Sequence, residues 1–258
     1  MTLPTSALHV SASQLKTMRD CPRKHWLQKV AQVPSQKQSL GAQRGKALHG
    51  IVETYLGAKP EYPEETLLEF TEAHGLFIHD LRHGLRSASE KSLLRDLRNL
   101  HHDPTQDFEL LIEQRFDMSP VFMGFMDLVI LDRRSGDLKV TIRDHKFTAD
   151  KRYVPDVDKA VADYQTIIYA KSVLDFFSLD SVAFAYDYYG TKYKWQKYLH
   201  LPLTRAYVEA KWLDVVRDTR NVLNNYRVPN GALTSPNYLS CQKYGGCEFK
   251  ELCFEGGH

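Results

Sequence analysis

Residues 138–147 read LKVTIRDHKF. Leu138, Val140, Ile142, Asp144 and Lys146 share one parity, so a strand here turns a carboxylate and an ammonium out of the same face as three aliphatic side chains. Burying such charges unpaired is costly. They must neutralise each other, bind a cation, or emerge at the strand end into a cleft. A plain Asp–Lys pair is the bland account, and a D-x-K tripeptide by itself supports nothing sharper.

Upstream, VFMGFMDLVIL over 121–131 carries a lone carboxylate, Asp127, where both faces are otherwise apolar. Short turns, Met118-Ser119-Pro120 and Arg133-Arg134-Ser135-Gly136, separate the runs 108–116, 121–131 and 138–147. The pattern predicts a three-strand meander. Adjacent antiparallel strands can bring Asp127 to Asp144. Two close carboxylates repel, and a divalent cation of the magnesium or manganese kind relieves that repulsion. Glu113, in ELLIEQRF on the first strand, is a candidate third acid, with an exposed edge-strand glutamate as the alternative.

Further out, a helix is expected over 159–177, strands over 182–189 and 193–201 around Gly190-Thr191, and an amphipathic helix over 204–226. At the other end, Ser13 is the expected N-cap of a first helix. The chain breaks at Cys21-Pro22, where proline can open a second helix carrying Trp26, Leu27 and Val30. A helix over 43–56 carries His49, and 57–104 reads as a helical insertion ending at Asp103-Pro104. The order is helices, three strands, helix, two strands, helix: an α/β sandwich on a mixed sheet, in a single domain over 1–258.

Thirty-four Lys+Arg against 32 Asp+Glu leave a formal charge of only +2, which excludes a bulk polycation. Positive charge gathers early, through Lys16, Arg19, Arg44 and Lys46, and reads either as a solvated helical face or as a patch for phosphates. The segment YDYYGTKYKWQKY offers aromatics either for base stacking or for cross-strand pairing. The start, MTLPTSALHV, lacks a basic and apolar leader, and no apolar run reaches the roughly 20 residues of a membrane span, so a cytoplasmic protein is expected. GAQRGKA is no phosphate loop: Gly41 and Gly45 enclose three residues rather than four, and Ala47 stands where a hydroxyl is required.

The 4 cysteines are Cys21, Cys241, Cys247 and Cys253. In a reducing compartment two disulfides are a poor expectation. Four thiols are a complete ligand set for one zinc or one 4Fe-4S cluster. The late spacing, C-x5-C-x5-C, leaves zinc, iron–sulfur and free thiols all open.

Taken in order, Glu113, Gly124-x2-Asp127, Asp144-x-Lys146 and Gln165-x3-Tyr169, preceded by His49 in RGKALHG, resemble the RecB-like branch of the PD-(D/E)xK nuclease superfamily. Cys21 with the late cysteine triplet is similar to its iron–sulfur subgroup, which includes AddB-type nucleases and exonucleases of CRISPR adaptation. The resemblance implies a restriction-endonuclease-like mixed central sheet flanked by helices, with an iron–sulfur clamp joining Cys21 to 241–253. It implies a metal held by His49, Asp127, Asp144 and the backbone carbonyl of His145. Lys146 would stand beside the attacking water, Gln165 and Tyr169 would place substrate from one helix face, and Glu113 would assist. Cys21, Cys241, Cys247 and Cys253 would hold a 4Fe-4S cluster, with zinc as the alternative.

The implied activity is a Mg2+- or Mn2+-dependent DNA exonuclease acting on single strands or free ends in recombination, repair or processing. A helicase or recombinase would act in trans, and no membrane is involved. The rival from another class is a catalytically inactive DNA-binding or assembly subunit. Two departures from the family pattern stand out: Asp144 replaces a glutamate, and five residues separate the first two late cysteines where many relatives have two.

Overall fold

Alternation in the middle of the chain becomes a sheet. The computed structural model describes residues 9–34, 49, 108–118, 121–148, 150–190 and 195–255. The insertion 57–104 and, apart from His49, the helix expected over 43–56 lie outside the described residues. The meander forms as β1 (Phe108–Met118), β2 (Phe122–Asp132) and β3 (Lys139–Thr148), each antiparallel to the next. Gly136, at φ 90°, permits the tight β2–β3 turn, which closes through Gly136 N–H donating to the Arg133 carbonyl at 2.9 Å.

Strand β4 (Ser181–Gly190) runs parallel to β3, and β5 (Gln196–Thr204) returns antiparallel, giving the order β1-β2-β3-β4-β5. A parallel pair needs a crossover. Helices α3 (Val157–Val161) and α4 (Tyr164–Phe176) supply it. The single helix expected over 159–177 is therefore two. Asp163, in extended conformation, accepts from the Gln165 N–H and so restarts the helix as an N-cap. Val129, Leu131, Val140, Ile142 and Phe184 of the sheet pack with Ile167, Ile168, Val173 and Leu174 of α4 in one core. Helix α5 (Arg205–Tyr226) adds Val208, Val215 and Val222, one every seven residues.

The N-terminal segment closes against the C-terminal one. Helix α1 (Ala12–Asp20) is capped by Ser11, which accepts from Gln14 N–H, rather than by Ser13, which lies inside the first turn. Pro22 opens α2 (Pro22–His25), as expected, and a π-helical turn follows over Trp26–Val30. The Trp26 Nε1–H donates to the Val228 carbonyl at 2.9 Å, and the Arg23 guanidinium donates to the carbonyls of Ala232 and Thr234. Gly231 lies under the Trp26 ring, where a Cβ would stand 2.6 Å from Cε3. Short 3-10 turns, Gly231–Leu233 and Tyr238–Gly245, lead to α6 (Lys250–Glu255). Among the described residues no helix is long and apolar enough to cross a membrane.

Candidate active site

Strands β2 and β3 pair as far as Leu128 and Arg143, then their ladder stops. Asp127 causes the parting. Its Oδ2 accepts the His145 N–H at 2.8 Å, so a side-chain oxygen occupies the place a carbonyl of β2 would take. On the far side, Ile112 pairs with Leu128 and Gln114 with Met126, which sets Glu113 opposite Asp127. Glu113 has φ 46°, a conformation that costs a non-glycine residue about 1–3 kcal/mol and collects at functional sites. The glycine of G-x2-D has a packing reason as well. Phe116, its cross-strand partner, covers Gly124 so closely that a Cβ would stand 2.8 Å from the ring.

Asp144 and Lys146 leave β3 on the side of Val140 and Ile142, as alternation predicts. Lys146 Nζ stands 2.6 Å from Asp144 Oδ2. Gln165 bridges the two, donating from Nε2 to Asp144 Oδ1 at 2.5 Å and accepting from Lys146 Nζ at 3.1 Å. One turn on, the Tyr169 hydroxyl donates to the Phe125 carbonyl at 2.7 Å, tying α4 to β2. His49, from outside the sheet, places Nδ1 3.3 Å from Asp127 Oδ2. His49, Asp127, Asp144, Lys146, Gln165 and Tyr169 thus converge, with Glu113 across the strand pair from Asp127.

The two acids differ in acidity. Burial pushes the Asp144 carboxyl up to about 6; Lys146 opposes that rise and Asp127 adds to it. Burial also disfavours the Asp127 charge, but the hydrogen bonds and charges of His49 and His145 outweigh it, and its pKa falls below the usual carboxylate range. Lys146 is raised despite burial because Asp144 and Asp127 face it. His49 is raised for the same reason, Asp127 outweighing burial. His49 and Lys146 thus both favour the charged forms of the carboxylates beside them.

Among the described residues no group of three or more His, Cys, Asp or Glu side chains is arranged to hold a metal ion. The donor chemistry nevertheless fits a hard divalent cation. The buried Asp144 and the part-buried Asp127 repel, and Asp144 Oδ2 lacks a well-aligned hydrogen bond even though Lys146 is close.

The cysteine positions also come together. Cys21 caps α2, its Sγ accepting from the N–H groups of Lys24 and Asn237, each at 3.4 Å. Cys247 N–H donates to the Cys241 carbonyl at 2.9 Å. The Cys241 thiol pKa is raised by burial and by the neighbouring thiols of Cys247, Cys21 and Cys253. All four are free thiols, Cys247 the more exposed. They are the right donors for a four-thiolate group, without closing on one.

Other expected contacts change. Tyr186, Tyr188, Tyr189 and Trp195 are buried, so they serve packing rather than base stacking. Lys16 pairs with Asp163 at 3.5 Å and Arg19 lies over the Tyr164 ring, while Arg44 and Lys46 lie outside the described residues. The sequence reading missed Arg143 and Asp187. Asp187, in SVAFAYDYYG, is a lone acid in a buried aromatic strand, the same signal that marked Asp127.

The sequence pattern of the PD-(D/E)XK nuclease superfamily matches residues 9–254. A comparison with curated proteins finds no match. Among solved structures, a protein of Eubacterium rectale provisionally named an exonuclease is similar over 99% of this chain and 93% of its own, with a TM-score of 0.50 at 11% identity. That likeness concerns the fold alone. The solved structure of SSO0001 gives a TM-score of 0.29 at 14% identity, over 80% of this chain and 84% of that one, too slight a likeness to use. A match running from before α1 into α6 takes in β2, β3 and α4 with their acids, lysine and glutamine, and on it the chain belongs to the PD-(D/E)XK nuclease superfamily.

Proposed function

We propose that this protein is a Mg2+- or Mn2+-dependent deoxyribonuclease that degrades DNA from free, single-stranded ends, within recombination, repair or processing. One observation carries the reading. Asp127 and Asp144, on neighbouring strands, meet at the His145 peptide with Lys146 2.6 Å from Asp144. Binding alone has no use for a buried acid, a part-buried acid and a lysine at one point.

His49, Asp127, Asp144 and the His145 carbonyl are the proposed metal ligands. A divalent cation held there supplies Lewis-acid charge to the phosphate and acidifies bound water. Lys146 then steadies the negative charge that grows on the phosphoryl oxygens and orients the attacking water. Gln165 holds Lys146 and Asp144 in register through its two hydrogen bonds. Tyr169 fixes α4 against β2, and Glu113 adds acidic charge beside it. The whole of 1–258 is taken as one nuclease domain. It contains no phosphate-loop motor, so unwinding would come from a helicase or recombinase in trans.

Cys21, Cys241, Cys247 and Cys253 are proposed to hold a structural 4Fe-4S cluster. The support is their shared neighbourhood at the seam between first and last segments. Anaerobic purification with iron and sulfide analysis should give about four iron atoms per chain. Zinc in place of iron would sink the cluster and spare the nuclease.

The activity test uses end-labelled linear and closed circular single strands with Mg2+, Mn2+ or chelator. Metal-dependent loss of the linear strand alone is expected, abolished by Asp144→Ala. Undiminished cleavage by that variant would remove the site. Inactivity of the unaltered protein on every substrate would favour the DNA-binding or assembly subunit.

A further inference from the structure

The acids of the centre are joined through one peptide. Asp127 accepts from the His145 N–H at 2.8 Å, and His145 lies between Asp144 and Lys146 in the chain. Whatever fixes His145 therefore fixes the spacing of both acids and the lysine. By strand parity its imidazole points to the face opposite Asp144. There it meets Asp187, its direct partner across the parallel β3–β4 pair, with Nδ1 3.6 Å from Asp187 Oδ2. The same oxygen receives Arg143 Nε at 2.8 Å and Nη2 at 2.7 Å. One carboxylate, 1% exposed, thus bonds Arg143 and lies against the ring of His145, the residues on either side of Asp144.

Neutralising Arg143 explains why the pair exists but not where it sits. A buried ion pair repays its desolvation poorly, and apolar side chains of similar volume commonly hold a fold as well or better. Retaining one beneath the two residues that flank Asp144 makes sense if it sets geometry, as groups behind metal ligands do.

We propose that Asp187 is a positioning residue for the nuclease centre, holding His145 and Arg143 so that Asp127, Asp144 and Lys146 keep their spacing. The proposal rests on the reading of Asp127 and Asp144 as the metal-binding acids.

The test compares the unaltered protein with Asp187→Asn, with the double variant Arg143→Met/Asp187→Leu, which removes both charges and keeps apolar volume, and with Asp144→Asn as control. Mn2+ affinity is titrated calorimetrically without DNA, and kcat and KM are measured on end-labelled linear strands. In both Asp187 variants the expected result is cooperative unfolding, Mn2+ binding weakened about tenfold to 100-fold, and kcat lowered similarly. KM for DNA should stay within about twofold, a split that a merely stabilising pair would not produce. Unchanged Mn2+ affinity and kcat in either folded variant would overturn the proposal. Failure of both to fold would overturn it too, by assigning the pair to stability. Full cleavage by Asp144→Asn would instead defeat the reading of the centre on which it stands.

Discussion

The acidic centre and the cysteine clamp are opposite solutions to drawing reactive side chains together. In the centre, short connections deliver the groups: Asp127 and Asp144 lie on hairpin neighbours, and Gln165 follows on the crossover. Opposed charges within the chain then balance it, Lys146 against Asp144 and His49 against Asp127. The cysteine seam joins residues more than 200 positions apart, as the 216-residue separation of Asn237 and Cys21 shows, and at Cys241 burial and the neighbouring thiols outweigh the charge of Lys250. The centre therefore carries opposed charges of its own, whereas the cysteine seam gathers like donors.

The largest effect expected from this contrast is at the centre. Asp144→Ala should lower cleavage by about 10^3-fold or more while circular dichroism and cooperative unfolding persist. Unfolding of that variant would mean the acid is structural, and the contrast would fail. Lys146→Ala should cost about 10^2–10^3-fold in kcat, again without loss of fold.

The clamp should respond the other way. Cys21→Ser is expected to lose iron and about 3 kcal/mol of stability in urea, the scale of closing a long loop. Per folded molecule its kcat should hold within a few-fold. A large fall in kcat would show that the clamp shapes the centre.

His25 sharpens the same boundary through pH. Burial, with Lys29 adding, lowers it to about 4 from 6.5, so the fold holds it neutral against Asn225. Protonation therefore opposes folding. Its contribution is complete above pH 6.5 and is lost as pH falls towards 4, by up to about 3 kcal/mol. Urea titrations should show that decline reduced in His25→Gln. Tyr169→Phe, which removes only the hydrogen bond to Phe125, should cost about 1 kcal/mol and a few-fold in kcat.

What the sequence made legible follows the range of the forces involved. Alternation in 138–147 is a property of neighbouring residues, and it placed Asp144 and Lys146 on the side they occupy. Asp127 stood out because a lone acid in an apolar strand demands a partner. Ligand arithmetic raised a common site for Cys21 and the late cysteines but left free thiols also open. Asp187 carried the same lone-acid signal, but its meeting with Arg143 was not legible, because that depends on β4 lying parallel to β3 in one register, which no local pattern specifies. The break at Asp163 was hidden by apolar spacing that runs through it. The aromatics of β4 looked available for bases because burial on both faces of a central strand erases alternation.

The seam between Arg23 and Thr234 has a bearing on synthesis. Its halves are 211 positions apart. At about 5–20 residues per second, roughly 10–40 s pass between the emergence of one half and the other. Throughout that interval Trp26 has neither its Val228 carbonyl nor its seat over Gly231, and Cys21 has no sister thiols. The segment around Trp26 is thus made well before its partner, and the nascent chain must keep an aromatic and a thiol from wrong company until the later half of the seam has emerged.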